Sequence, residues 1–185
     1  MRRRRLLAAT GGVLSVAVAG CLDRRNSAPG PDPPAGSETP TNPTEVGDWP
    51  SGTYADYETT TVTLWRADGT FLGSVYAAVA ASRSERYLGL SDAETLPPDG
   101  AMIFVYRSVS DRTFVMRDMD FGIDIIMADS DGQLTEIHHA DAPGPDEDGE
   151  DQRYSGRGQY VLETTYRWTT DHDVSVGDYL AFERE

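Results

Sequence analysis

Short stretches that alternate between apolar and polar positions dominate the chain from residue 59 onward. Residues 59–65 repeat with a period of two and are rich in β-branched side chains, which is typical of a half-buried strand. Asp68 and Gly69 form a turn signal, so this strand is predicted to pair with the next apolar stretch as a hairpin. The same pattern predicts eight strands in all, at residues 59–65, 71–77, 102–106, 113–116, 123–128, 134–138, 160–162 and 179–182.

Helical signals are few and short. Ser82 and Glu85 have the spacing of a capping box, which satisfies free N–H groups at the start of a helix. Pro97 and Pro98 end that segment, and a second helical turn is expected near residues 166–168. About eight short strands with one or two short helices predict an all-β fold, a compact β-sandwich or barrel.

The N-terminal residues resemble an export signal that ends in a lipid attachment site. Arg2 to Arg5 precede about 15 mostly apolar residues, a stretch too short to cross a bilayer as a helix. Consecutive arginines before a Leu-Leu pair resemble a twin-arginine signal. Residues 18–21, Val-Ala-Gly-Cys, resemble a lipobox, which predicts a signal peptide over residues 1–20 and a lipid on Cys21. A plain secretory peptide with an incidental cysteine is the alternative.

The segment between the cysteine and the first strand has a different composition. Residues 22–58 hold seven of the 11 prolines, with Gly, Ser, Thr, Asp and Glu between them. Such a segment buries too little apolar surface to offset the entropy of ordering. We therefore expect a disordered tether over residues 21–58 and one β domain over residues 59–185.

The charge of the chain restricts its partners. The 185 residues include 31 acidic and 16 basic ones, all of the latter arginine, and the formal net charge is −15. This balance argues against nucleic-acid binding, which needs a basic surface. An acidic chain without lysine is typical of life in high salt, where ions screen the repulsion between carboxylates. We expect a halophilic source, such as a haloarchaeon.

Several motifs then carry a resemblance to a known family. In chain order they are ERYLGL at 85–90, LPP at 96–98, AMIFVY at 101–106, FVMR at 114–117, IDI at 123–125 and VGD at 176–178. Their order and spacing resemble the domain-of-unknown-function family 192 over roughly residues 62–183. The resemblance implies a compact single-domain β-sandwich, often exported or tethered to a membrane. It implies no activity, because the family is uncharacterised.

One stretch departs from the pattern of that family. The family usually has Phe-Trp-Met-Lys-Asn-Thr and then Ile-Pro-Leu-Asp, and Phe114, Met116 and Asp124 keep the pattern here. Arg117 keeps the positive charge of the lysine. Val115 stands in place of the tryptophan, so a ligand that stacked on that ring would lack its platform in this chain.

The polar residues around this stretch are the candidates for ligand binding. Arg117, flanked by Asp118 and Asp124, could receive a carboxylate or phosphate with both arms of its guanidinium, and Met116 lies beside it. The alternative is a structural ion pair that fixes the turn between two strands. Charge alone does not choose between the two.

No metal site, cofactor or catalytic residue is predicted. His138 and His139 with nearby methionines suggest Cu(I), but adjacent strand residues point to opposite faces. The acidic run at 141–151 suggests Ca²⁺, but its glycine comes too early for an EF-hand, and a solvated loop is the simpler interpretation. Motifs for nucleophilic catalysis, zinc binding or phosphate binding are not found.

These observations favour a lipid-anchored extracytoplasmic β domain that binds a small ligand or a surface protein, with Arg117 and Asp124 at the contact surface. The alternative is a hydrolase or transferase that acts on cell-surface glycans or lipids through Asp124 or Asp118. A structural component of the cell envelope is a third possibility. The expected partners are the membrane, through the lipid on Cys21, and an unknown ligand or surface protein, with no nucleic acid.

Overall fold

The computed structural model describes residues 31–33 and 46–183. The predicted signal peptide, the lipidation site Cys21 and much of the predicted tether lie outside these residues. The strands are β1 (Thr59–Trp65), β2 (Phe71–Ala80), β3 (Gly100–Val115), β4 (Ile123–Ala128), β5 (Leu134–Ala140), β6 (Arg153–Thr165) and β7 (Tyr179–Phe182). The helices are α1 (Arg83–Leu88), α2 (Trp168–Asp171) and a 3-10 turn at Gly52–Tyr54. In this part of the chain, no helix has the length and apolar character needed to cross a membrane.

The seven strands form one sheet in the order β5-β4-β6-β3-β2-β1-β7. Neighbouring strands are antiparallel except β2 and β3, which run parallel and are joined by α1 and the loop after it. The edge strands β5 and β7 meet at one end, where the N–H of Leu134 donates to the Asp178 carbonyl at 2.7 Å. The sheet is therefore curled into a half-barrel, which confirms the predicted all-β fold.

The concave side of the curled sheet holds one apolar core. All seven strands contribute to it because their inward positions alternate with outward ones. In β3, for example, Ala101 and Ile103 face this inner core, whereas Met102 and Phe104 face the other side. Trp168 of α2 also packs into the inner core, so this short helix covers part of the concave side.

A second apolar core lies on the outer side of β2, β3, β4 and β6. It is covered by α1, the loop that follows α1, and residues upstream of β1. Trp49 and Tyr54 are buried there, and the Trp49 indole N–H donates to the Ala101 carbonyl at 2.9 Å. The folded unit thus includes residues that the sequence assigned to the tether, because two aromatic rings in this segment complete the outer core.

Two of the predicted strands are one strand in the structure. Residues 102–106 and 113–116 both belong to β3, which pairs with β6 along its length through a register shift between Val105 and Ser110. The irregular region interrupts the apolar pattern but not the strand. The predicted hairpin at Asp68–Gly69, the capping box at Ser82 and the helical turn near residue 168 are confirmed.

Candidate functional site

A cavity of about 170 Å³ opens on the outer side of the sheet. Its walls come from α1 and the residues after it, from both halves of β3, from the turn between β3 and β4, and from β6. Four of the 15 lining residues are aromatic: Tyr87, Phe104, Tyr106 and Phe114. A single acidic side chain, Glu163 of β6, also lines it.

Glu163 is the most unusual polar group of the described residues. Its strand position pairs with Met102 on one side and Ile125 on the other, so its carboxyl emerges between apolar neighbours. Only 5 % of the residue is exposed, and within residues 31–33 and 46–183 its carboxyl has no hydrogen-bond or ion-pair partner. Burial raises the pKa of the Glu163 carboxyl to about 8, because a charged form without a partner is costly away from water.

The helix α1 builds one wall of the cavity, and its ends are fixed by local chemistry. The Ser82 hydroxyl accepts a hydrogen bond from the Glu85 N–H at 3.2 Å, and the Glu85 carboxylate accepts one from the Ser82 N–H at 2.6 Å. Gly89 ends the helix with φ +56°, a conformation that other residues rarely adopt. A Cβ at Gly89 would lie 3.5 Å from the Phe104 ring, so the chain passes directly against the cavity wall.

Two arginines stand at the rim of the cavity, and backbone carbonyls hold both. Arg86 donates to the carbonyls of Ala81 and Val105. Arg117 donates to the Tyr87 carbonyl at 2.5 Å, and its guanidinium lies 4.3 Å from the centre of the Tyr87 ring. These contacts fix the guanidinium groups as parts of the wall.

The ring of Tyr106, which lines the cavity, contacts a third arginine, Arg112. The Arg112 guanidinium lies 3.3 Å from the centre of this ring, and that of Arg86 lies 4.7 Å from it. The Arg112 Nε–H donates to the Gly158 carbonyl at 2.9 Å. Burial raises the pKa of the Tyr106 hydroxyl, so Tyr106 lines the cavity as a neutral phenol.

Of the four predicted ligand-binding residues, only Arg117 lines this cavity. Asp118 follows it in the turn, with φ +54° and a side chain that is 78 % exposed. Its carboxylate lies 4.0 Å from the Arg117 Nε, at the limit of an ion pair, and Glu150 lies closer to Arg117, at 3.5 Å. Met116 is fully buried in the outer core. The prediction that these residues bind a ligand stays a prediction.

Asp124 lies on the other side of the sheet from Arg117. Its side chain is fully buried and accepts hydrogen bonds from the N–H groups of Arg167 and Thr169, each at 2.8 Å, and from the Thr169 hydroxyl at 2.5 Å. The His139 Nδ1 lies 2.7 Å from it. Asp124 thus satisfies the N-terminus of α2 and orients one imidazole. The proposed contact surface of Arg117 and Asp124 is not a single surface.

The residues considered for metals do not converge. His138 approaches the Ser155 carbonyl at 3.1 Å, whereas His139 approaches Asp124 on the opposite side of β5. Across residues 31–33 and 46–183, no group of three or more His, Cys, Asp or Glu side chains could hold an ion. In the acidic loop, a Cβ at Gly149 would lie 2.0 Å from the Met116 carbonyl oxygen, so this glycine allows the loop to pack against the β3 end.

Sequence reasoning missed Glu163 because its strand was predicted to end at Leu162. In the structure β6 continues to Thr165, and the period of two then places Glu163 on the same side as the buried Val161. The signal was an acidic residue two positions after an apolar one in a strand. With 31 acidic residues in the chain, that signal did not stand out.

Comparison with known proteins places the fold but supplies no activity. The model of the family DUF192, described as "Uncharacterized ACR", matches residues 63–182. A "putative transcription regulator" from Sinorhizobium meliloti 1021 is 24 % identical with a TM-score of 0.61, over 68 % of this chain and 95 % of that one. A protein of unknown function from Novosphingobium aromaticivorans DSM 12444 is 20 % identical with a TM-score of 0.56, over 84 % of this chain and 93 % of that one. No curated protein matches the chain. At these identities the two structures show the fold alone.

Proposed function

The chain belongs to the uncharacterised family DUF192, and from that premise we propose that it is a lipid-anchored extracytoplasmic domain that binds a small organic ligand in the cavity around Glu163. The observation that carries the binding function is the Glu163 carboxyl, buried in a cavity wall without a partner among the described residues. A buried polar group without a partner costs stability, so a fold that keeps one has a use for it.

The size and the lining of the cavity suit a compact ligand. A volume of about 170 Å³ is close to the roughly 150 Å³ of an apolar protein cavity that holds a benzene molecule. Binding sites for small molecules combine apolar and aromatic walls with a few polar groups that fix orientation. Here four aromatic side chains line the cavity, and its charged groups are Glu163, Arg86 and Arg117.

Thermal unfolding of the full-length chain in molar KCl and detergent tests the binding function. The panel contains small organic cations, carboxylates, alcohols and sugars, and the matched variants are Glu163→Gln in the cavity and Asp118→Asn at an exposed position. A ligand at a hundred times its dissociation constant adds about 2.7 kcal/mol to the free energy of unfolding. We expect at least one compound to stabilise the wild type and Asp118→Asn, but not Glu163→Gln. A panel without such a compound would contradict the binding function.

The anchor is supported by the residues of the N-terminus, above all the single cysteine after Val18-Ala19-Gly20. Expression of the full chain in a haloarchaeal host, with Cys21→Ser as the matched variant, tests it. We expect the wild type in the membrane fraction with a mass increase from lipid, and the variant in the medium or the soluble fraction. Equal membrane retention of both proteins would contradict a lipid on Cys21.

A hydrolase or transferase is the second candidate, and one contact favours it. His139 is oriented by the buried Asp124 carboxylate at 2.7 Å, which is how many general bases are held. The binding function predicts no turnover of chromogenic glycosides or esters. Turnover that is present in the wild type and lost in His139→Gln would support the enzyme instead.

A further inference from the structure

We propose that the cavity around Glu163 takes a small organic cation, an ammonium group on a short apolar or aromatic body. This inference rests on the binding function proposed above and names the chemical class of its ligand. It is carried by three features of the described residues: the carboxyl at the cavity wall, the aromatic lining, and the way in which the rim arginines are already engaged.

The first feature is the absence of a hydrogen-bond donor for the Glu163 carboxyl among the described residues. Its carboxyl oxygens are acceptors, and no donor of the described residues reaches them. An ammonium group brings N–H donors together with a positive charge. It therefore satisfies the carboxylate more completely than a neutral hydroxyl does, since hydrogen bonds between charged groups are shorter and stronger.

The second feature is the aromatic lining. Phe104, Tyr106 and Phe114 line the cavity from β3, and Tyr87 lines it from α1. The face of an aromatic ring attracts cations through its quadrupole, and this attraction grows when water is excluded. Two of these rings already show the effect, because Tyr87 lies under Arg117 and Tyr106 lies under Arg86 and Arg112. Phe104, which is 1 % exposed, and Phe114 carry no cation–π contact among the described residues and pack edge to face with ring centroids 5.0 Å apart.

The third feature is the set of contacts that hold the two arginines at the rim of the cavity. Arg86 donates through its Nη1 to the carbonyls of Ala81 and Val105, and its guanidinium lies 4.7 Å from the centre of the Tyr106 ring. Arg117 is shared between the Tyr87 carbonyl and Glu150. The rim thus provides rigid walls around Glu163, the single acidic group of the lining.

The groups that face Glu163 determine how binding depends on pH. Tyr54 from the segment before β1 and Tyr106 from β3 interact electrostatically with Glu163. Arg86 from α1 and Arg117 from the turn after β3 line the same cavity. Burial raises the pKa of Tyr54 to about 12, so neither this phenol nor Tyr106 ionises near neutral pH. Glu163 is the group that titrates. A bound cation lowers its pKa, so binding at pH 7 releases close to one proton per ligand, roughly the fraction of Glu163 that is protonated before binding.

Three probes of nearly the same shape test the charge preference: benzylammonium, benzyl alcohol and benzoate. Titration calorimetry of the full-length chain at pH 7, in buffers with different ionisation enthalpies, gives both the affinity and the number of protons released. The variants are Glu163→Gln, which keeps the shape of the side chain, Val115→Trp, which fills the cavity, and Asp118→Asn, an exposed control. Molar KCl does not remove the effect, because a buried pair is screened far less than an exposed one.

We expect benzylammonium to bind at least about tenfold more tightly than benzyl alcohol and to release a proton. Glu163→Gln should remove both the preference and the proton release, Val115→Trp should weaken all three probes, and Asp118→Asn should change nothing. Tighter binding of benzoate, an unchanged preference in Glu163→Gln, or no binding of benzylammonium at millimolar concentration would overturn the inference. If a neutral or anionic compound alone binds and needs Glu163, the cation inference fails while the binding function stands.

Discussion

Asp124 and Glu163 are carboxyl groups on adjacent strands that face opposite sides of the same sheet. Asp124 pairs in register with Thr164, the residue after Glu163. Asp124 accepts four hydrogen bonds on the inner side, whereas Glu163 accepts none from the described residues on the outer side. The fold satisfies the carboxyl of Asp124, whereas the carboxyl of Glu163 has no partner among the described residues.

The free energy of unfolding should depend on pH through Glu163. Its pKa is raised from 4.5 to about 8 in the folded state, so the folded protein holds a proton that the unfolded chain gives up between these values. The contribution of Glu163 is therefore fully present below pH 4.5 and is lost as the pH rises toward 8. Relative to the wild type, Glu163→Gln should gain on the order of a few kcal/mol over this range.

Urea unfolding of both proteins between pH 4.5 and 8.5 measures this difference, and the titration of the histidines cancels because both proteins contain them. Glu136→Gln is the matched control, since it removes the same charge from an exposed position and should change stability by less than about 0.5 kcal/mol. A constant difference between wild type and Glu163→Gln across this range would show that the Glu163 carboxyl is not buried without a partner.

Asp124→Ala should be strongly destabilising. The substitution leaves the N–H groups of Arg167 and Thr169 without an acceptor in a buried position, and we expect a loss of about 3–5 kcal/mol. Asp118→Ala removes a carboxylate whose side chain is 78 % exposed and should change the free energy of unfolding by less than about 0.5 kcal/mol. Chemical denaturation of both variants makes the comparison. Equal effects would contradict a structural role for Asp124.

Trp49 should contribute to stability although it lies in the segment predicted to be a tether. Its ring is 7 % exposed in the outer core, and its indole N–H bonds to the Ala101 carbonyl. Trp49→Ala should cost about 3–5 kcal/mol, and a chain that begins at residue 59 should melt at a lower temperature than one that begins at residue 31. Asp48→Ala, next to it and exposed, is the control. Identical melting of the two truncations would mean that the segment does not pack.

The contribution of the capping box at the start of α1 to the free energy of unfolding should be measurable as well. Ser82→Ala removes the acceptor for the Glu85 N–H and should cost about 1 kcal/mol. Ser82→Asp keeps an acceptor at the same place and should be close to the wild type. Thermal or urea unfolding distinguishes them. If both variants lose the same stability, the loss does not come from the cap.

The sequence predicted the strands and their class well because alternation and turn residues are local signals. The hairpin at Asp68–Gly69 and the cap at Ser82 depend only on residues a few positions apart. The site depends on partners that are far apart: Glu163 in β6 meets residues of α1 and β3 only through the sheet order. Asp124 was predicted to bind a ligand together with Arg117, but in the structure it accepts a hydrogen bond from the start of α2, 43 residues away.

The parallel pairing of β2 with β3 has a consequence for how the cavity can change. Antiparallel neighbours need only a tight turn between them, but parallel neighbours require the chain to return to the starting end of the sheet. Residues 81–99 make this return, and they pass over the outer face, where they form one side of the cavity. Insertions or substitutions in this connection would reshape the entrance while the strand register stayed intact. The lining of the cavity can therefore diverge among proteins of this architecture without a loss of foldability.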